Sequence, residues 1–237
     1  AMEPSLAFHT AASFTSNTNL QHYSGEASLS YLAQLSLMWL QFVSAATGIA
    51  ALTALSRALA GRRSVGNFYA DLWRATTLVL LPLAVVWAVF LAVSGVPMTF
   101  QGAAAVTTLE GAQQTIARGP VAAFVAVKQL GTNGGGFYGP NSAHPLENPT
   151  WWSNFASHLA IILIPMASVW MFGRLTGRLK HAAVLFAVML VMVVALAALA
   201  VWLEQAPTAA FRDLPIAKSS NLEGKELRFG PSAGPLW

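Results

Sequence analysis

Residues 131–150 read GTNGGGFYGPNSAHPLENPT. Three consecutive glycines and a run of polar backbone stand between two apolar segments, in a chain that is 55% hydrophobic and only 9% charged. In water such a stretch is a surface loop. In a bilayer it cannot face lipid, because irregular backbone at membrane depth survives only where protein buries it or where it lines a watery path. Where this stretch lies relative to the spanning segments therefore decides the fold.

The membrane reading follows from composition. A soluble domain carries about a quarter charged residues, and a chain with so little polar surface cannot cover its own core in water. The absence of cysteine excludes disulfides, thiolate catalysis and thiolate metal sites. The N-terminal AMEPSLAFHTAASF has no basic region and no early apolar region, so it does not read as a signal peptide. It begins as though in mid-protein, and the C-terminal EGKELRFGPSAGPLW stops on the verge of another apolar segment. A fragment is expected.

Four stretches lack Asp, Glu, Lys and Arg and are long enough to span: 27–56, 75–96, 148–173 and 182–203. About 20 helical residues cross a hydrocarbon core of about 30 Å. Pro82 and Pro165 are expected kinks. Arg57, Arg62, Arg63 and Arg74 against Asp71, and Arg174, Arg178 and Lys180 unopposed, put a net +3 at each of two short hinges in a chain of net +4. The excess positive charge thus lies on one side, which predicts cytoplasmic hinges and an outward-facing N-terminal segment, 97–150 connection and C-terminal tail.

Within that outer connection, Gly119 and Pro120 precede VAAFVAVKQLG. Proline suits the first turn of a helix, and about 11 residues are too few to span. A short helix that breaks into glycine-rich backbone between two spanning helices is the plan of a re-entrant pore loop. The N-terminal segment repeats it. A shift of 116 brings Pro4 onto Pro120, Ala7 onto Ala123, Phe8 onto Phe124 and Asn17 onto Asn133. Residues 15–19 (TSNTN) then fall on 131–135 (GTNGG).

Both turns can aim several carbonyl oxygens at one point, since glycine adopts positive φ freely and asparagine tolerates it better than most residues. Ser16, Thr18 and Thr132 add hydroxyl oxygens, and neither turn holds a carboxylate. Uncharged rings of carbonyl dipoles replace the hydration shell of monovalent cations in selectivity filters, whereas calcium and magnesium recruit carboxylates. Potassium is favoured. A ring needs about four contributors, and this chain supplies two and the start of a possible third.

Here the residues carry a resemblance. LGTNGGGFYGPNSAHPLENPT, SNTNLQHYSGE, LEGAQQ and NLEGKELRFGPSAGPLW are similar to the potassium-binding A subunit of the bacterial Kdp potassium-transporting ATPase, within a superfamily of potassium transporters. The resemblance implies an all-α polytopic membrane protein built of membrane–pore–membrane repeats with re-entrant pore loops. Residues 1–61 would be the first pore loop and its following helix, 62–177 the complete second repeat, and 178–237 the outer helix of the third repeat with the start of its pore segment. Carried over by position, the first K+ filter falls on Ser16, Asn17, Thr18 and Asn19, with Gln21 just above it, and the second on Thr132, Asn133, Gly134 and Gly135. Leu20 and Leu146 depart from the tryptophan and phenylalanine frequent in relatives. The transported ion would be K+, with no organic cofactor. The partners would be a P-type ATPase catalytic subunit, accessory subunits and membrane lipid in the bacterial inner membrane.

Other readings are weaker. A formal GxGxxG at 134–139 lacks the strand before and the helix after that a dinucleotide site needs. His144 and Glu147 in HPLE read as a structural brace rather than a metal pair. Lys128 is expected to reach the outer interface or cap helix carbonyls, His158 to pack with a hydrogen bond, and Gln41 and Ser44 to bond between helices. Trp151, Trp152 and Trp202 read as interfacial anchors. No P-loop, aspartyl-phosphate motif or nucleophile–base pair is present, so no catalytic centre is expected in this chain, and no nucleic-acid partner. The alternatives to transport in an ATP-driven complex are a non-conducting scaffold for a partner ATPase, and a passive channel or symporter subunit.

Overall fold

A computed structural model describes residues 2–206, 209, 221 and 226–237. They divide into two units, Ala1–Gly177 and Arg178–Trp237. Among the described residues four helices are long and apolar enough to cross a membrane: Tyr31–Leu59, Phe68–Val93, Trp151–Thr176 and Leu179–Gln205. The chain is an all-α polytopic membrane protein, with one short hairpin as its only sheet among those residues.

The first unit opens with α1 (Pro4–Thr15), whose proline sits at the start of the helix as its missing N–H allows. A single turn, α2 (Gly25–Ser28), leads to the spanning helix α3 (Tyr31–Leu59). The Ser30 hydroxyl caps α3 by accepting from the Ala33 N–H at 3.3 Å. After the basic hinge, α4 (Phe68–Arg74) runs through a π-helical turn, Ala75–Leu80, into α5 (Leu81–Val93). Pro82 lies just beyond that turn, after Leu81, and cannot donate back along the helix, and the wider turn accommodates it. This span starts seven residues earlier than its apolar run, because Asn67 caps α4 through the Ala70 N–H at 3.1 Å and Asp71 pairs with Arg57 of α3. The pair ties the two helices together at the hinge.

The outer connection contains an element the sequence reading missed. Strands β1 (Ala104–Thr107) and β2 (Gln113–Ile116) pair antiparallel, Ala104 opposite Ile116. The chain then enters α6 (Val121–Leu130), of which nine of ten residues are buried. A helix apolar and covered on nearly every face belongs to a core. One cluster joins Val121, Phe124 and Val125 to Leu91 of α5 and to Phe137, and a second joins Val127 and Leu130 to Phe42 of α3, Leu80 and Ala160. The short helix is thus the centre of the unit and the spanning helices surround it. A loop with a single 3-10 turn at Asn141–Ala143 returns to α7 (Trp151–Thr176). Thr150 and Ser153 form a reciprocal capping box at its start, Pro165 lies within it, and Gly177 ends it in the left-handed conformation.

The second unit holds α8 (Leu179–Gln205) and the short α9 (Gly230–Ala233). Asn221 bonds to Glu204 through its backbone N–H at 3.0 Å and its side-chain amide at 3.1 Å. Much of the pore segment expected at the start of a third repeat lies outside the described residues.

Candidate functional site

The two repeated turns follow the C-termini of α1 and α6, and their backbone hydrogen bonds match. Ser16 N bonds to Ala12 O as Gly131 N does to Val127 O. Asn17 N and Thr132 N each reach back three residues, to Phe14 O and Gln129 O. Thr18 N and Asn133 N each reach back five, to Ser13 O at 3.0 Å and Lys128 O at 3.2 Å. The turns therefore superimpose at a shift of 115, not 116. The helices begin 117 residues apart, at Pro4 and Val121, and end 115 apart, at Thr15 and Leu130, because α1 has 12 residues and α6 has 10. The shift of 116 that maximises identities is a compromise between the two ends.

Backbone conformation repeats in the same register. Asn17 and Thr132 are left-handed, with φ of 62° and 56°, and so are Asn19 and Gly134, with φ of 52° and 86°. Gly135 adds a fifth at 67°. Thr18 and Asn133, which lie between them, have no positive φ, so the sign alternates along 17–19 and again along 132–134. For β-branched Thr132 this conformation costs of order 1–3 kcal/mol, so the surroundings hold it there.

The two turns touch. Asn133 Nδ2 donates to Asn17 Oδ1 and, at 3.1 Å, to Gln41 O. A Cβ built on Gly135 would lie 3.2 Å from Asn19 O, and one on Gly134 4.0 Å from Thr18 O. Of the carbonyls of residues 16–19 and 132–135, Gly134 O accepts from Gln41 Nε2 at 3.2 Å. Among the described residues the other seven accept no hydrogen bond. The Asn19 amide is buried with neither of its polar atoms bonded, and Asn133 Oδ1 and Gln41 Oε1 are likewise buried and unpaired. Such atoms cost about 1–3 kcal/mol each when left without a partner.

Helix α3 braces both turns from one face. Ser44 Oγ donates to Asn17 Oδ1 at 2.6 Å, Gln41 holds the second turn as described, and Gln34 Nε2 donates to Phe137 O at 3.1 Å. Gln41 and Ser44 were expected to join helix to helix, and they join helix to turn instead. Gln21 also serves the second turn: its Oε1 accepts from Gly136 N at 2.8 Å and its Nε2 donates to Tyr23 O at 3.1 Å. Glu26 Oε2 accepts from Gly139 N at 3.0 Å. Burial pushes the Tyr23 phenol up to about 12, so no charge arises from it at neutral pH.

Lys128 departs most from expectation. It neither reaches the interface nor caps the helix. Its side chain is 1% exposed and its Nζ lies 2.5 Å from Oε2 of Glu147, itself fully buried. Glu147 Oε1 accepts from Tyr138 N at 3.0 Å, and the His144 ring stacks on Tyr138 with centroids 3.8 Å apart. The HPLE motif is a brace, as its proline suggested, but an ionic one. His158 Nδ1 lies 2.8 Å from Asn154 O, the bonded packing role expected of it. Among the described residues no group of three or more His, Cys, Asp or Glu is placed to hold a metal.

Beside the turns lies a cavity of about 410 Å³. Thr15, Ser16 and Thr132 line it from the ends of the half-helices, Ser44 and Thr47 from α3, and Ser168 from α7 beside Pro165. These six hydroxyl residues share the lining with apolar ones such as Ile49, Leu52 and Ile164, and no ionised side chain contributes to it.

Comparison with known proteins gives a consistent result. The family model described as potassium-transporting ATPase A subunit matches residues 1–237. A protein of Pseudomonas entomophila (strain L48), named potassium-transporting ATPase potassium-binding subunit, is 51% identical over 99% of this chain and 42% of its own length. Proteins of the same name from Pseudomonas aeruginosa and Caldanaerobacter subterraneus subsp. tengcongensis are 49% and 45% identical over 100% of this chain, covering 42% and 43% of theirs. The chain spans less than half the length of these relatives.

Proposed function

Because the chain belongs to the family of potassium-transporting ATPase A subunits, we propose that it forms part of the ion-selecting pathway of an ATP-driven K+ uptake complex. Dehydrated K+ is held by main-chain carbonyls of residues 16–19 and 132–135, together with two further turns from the remainder of the longer protein. The observation that carries this reading is the pair of facing left-handed turns with seven unengaged carbonyls. Peptide oxygens can replace water around a large monovalent ion without the tight binding that a carboxylate would impose.

Three features support it. The turns sit at the C-termini of α1 and α6, where a helix dipole places about half a negative elementary charge. Unwound backbone at such ends coordinates monovalent cations in transporters. The buried, unpaired side-chain oxygens of Asn19 and Asn133 give a cation or its residual waters further ligands. The cavity beside the turns presents hydroxyls among apolar groups and no ionised side chain. Gly134 O, shared with Gln41, is the weakest ligand of the set, and Gln21 acts as support for the second turn more than as a ligand.

In this reading residues 62–177 form one complete membrane–pore–membrane unit. The arginine hinges face the cytoplasm, and the pore turns open outward in the bacterial inner membrane. ATP hydrolysis belongs to a P-type ATPase partner subunit. The test is radioactive rubidium binding to the full-length subunit in its native complex. Potassium displaces the tracer at far lower concentration than sodium does. Equal displacement by sodium would refute the assignment of the turns.

A further inference from the structure

Lys128 and Glu147 are buried together behind the second turn, 1% and 0% exposed. Two charges out of water are tolerated only when geometry and additional hydrogen bonds satisfy them. Here the ammonium is met by the carboxylate, and the carboxylate has a further partner in the backbone. The carbonyl of Lys128 accepts from Asn133 N at 3.2 Å, inside the turn, and the carboxylate of Glu147 accepts from Tyr138 N at 3.0 Å, just beyond it. The ion pair, 2.5 Å between Nζ and Oε2, links these two anchors. A second rung runs parallel, from Gln129 Nε2 to Ser142 Oγ at 3.0 Å. The carboxylate lies directly against the chain, since a Cβ on Gly136 would meet Glu147 Oε1 at 2.7 Å.

The first turn is braced differently. Lys128 corresponds there to Ser13 at the shift of 115, and Ser13 works locally. Its carbonyl accepts from Thr18 N and Asn19 N, and its hydroxyl from Leu20 N at 2.8 Å. A neutral residue thus holds the first turn from within, while an ion pair between residues 19 positions apart holds the second. An ionic clamp is stiffer toward displacement than a hydroxyl bond, because separating buried charges is costly. It also keeps a lone ammonium from standing beside a cation site.

We propose that the Lys128–Glu147 pair is a positioning device for ion discrimination. It fixes the distance between Asn133 and Tyr138, and hence the spread of the carbonyls of residues 132–135, so that the turn cannot contract around an ion smaller than K+. This rests on the ion-site reading given above. Neither side chain touches the ion.

The test uses the full-length subunit in its native complex, with membrane insertion measured first. The readout is the ratio of sodium to potassium concentrations that half-displace radioactive rubidium, and the stabilisation of the purified complex by each salt. Replacing both residues by apolar ones, Lys128→Met with Glu147→Leu, leaves the core filled but frees Tyr138 N, and the ratio falls at least tenfold. Exchanging the charges, Lys128→Glu with Glu147→Lys, restores a pair but gives Tyr138 N no acceptor, and the ratio stays low. Gly136→Ala keeps both charges and crowds the carboxylate and the Asn141 side chain alike, each 2.7 Å from the new Cβ, which lowers the ratio several-fold and serves if the double variants fail to insert. An unchanged ratio in any inserted variant, or full recovery in the exchanged pair, overturns the proposal. A wild-type complex that already fails to prefer potassium would instead remove the ion-site reading on which it rests.

Discussion

Gly135→Ala separates strain from ligand displacement. Gly135 has φ of 67°, and an alanine there pays roughly 1–2 kcal/mol for the left-handed conformation, offset by about 0.4–1 kcal/mol from a less flexible unfolded chain. The new methyl meets Asn19 O at 3.2 Å, Gln41 Nε2 at 3.3 Å and Asn19 Cβ at 3.4 Å, so the Asn19 carbonyl must yield by a few tenths of an ångström. Gly61 is a matched control, with φ of 69° and nothing within 4 Å of its Cβ position. Both substitutions carry the same backbone cost and lower thermal stability, Gly135→Ala by more because its methyl is also crowded. Only Gly135→Ala moves a proposed ligand. If that oxygen contributes about 1–2 kcal/mol, in the range of a charge-assisted hydrogen bond, affinity falls about five- to thirtyfold. Rubidium displacement by potassium in the full-length complex measures this directly. Equal affinities for the two variants would refute the assignment of the Asn19 carbonyl as a ligand.

Three further outcomes are expected. Ser44→Ala removes the 2.6 Å bond to Asn17 Oδ1 and costs about 1 kcal/mol, read as a lower melting temperature and a several-fold weaker rubidium affinity. Thr132→Gly relieves a left-handed β-branched residue, with φ of 56°; relief of about 1–3 kcal/mol of strain outweighs the flexibility that glycine adds to the unfolded chain, of order 1 kcal/mol. Stability in a thermal melt is therefore held or raised while sodium discrimination declines. Tyr23, raised by burial from 10.0 to about 12, holds its proton more tightly when folded, so its contribution is complete below pH 10 and is lost as pH rises toward 12. Tyr23→Phe lacks that alkaline loss in a pH series of melts.

The spanning helices were legible because twenty or so uncharged residues between arginine hinges admit few other structures. Their ends were not, since Asn67 and Asp71 extend α4 beyond the apolar run through a cap and a cross-helix pair. The two turns that end α1 and α6 were legible from glycine and asparagine, but identities set the register one residue off. The hydrogen bonds that define it depend on where α1 and α6 end, and helix ends are weakly encoded. Residues 104–116 hid a hairpin because only four ladder pairs form and their alternation is slight. The Lys128–Glu147 clamp was invisible for a different reason: a lone lysine at a helix end has many available fates, and burial selects among them only after the loop has folded back. Gln34, Gln41 and Ser44, seven and three residues apart, carried a readable signal as a polar stripe on one helix face.

The unequal lengths of α1 and α6 mean that the two turns are relatives and not copies. An assembly of four identical chains repeats every substitution at each quarter of its ring, so its quarters cannot diverge. On the proposed reading, a single polypeptide that contributes two quarters can alter one and leave its neighbour untouched. Selection can then sharpen one oxygen at a time, and the outline around the ion need not be square.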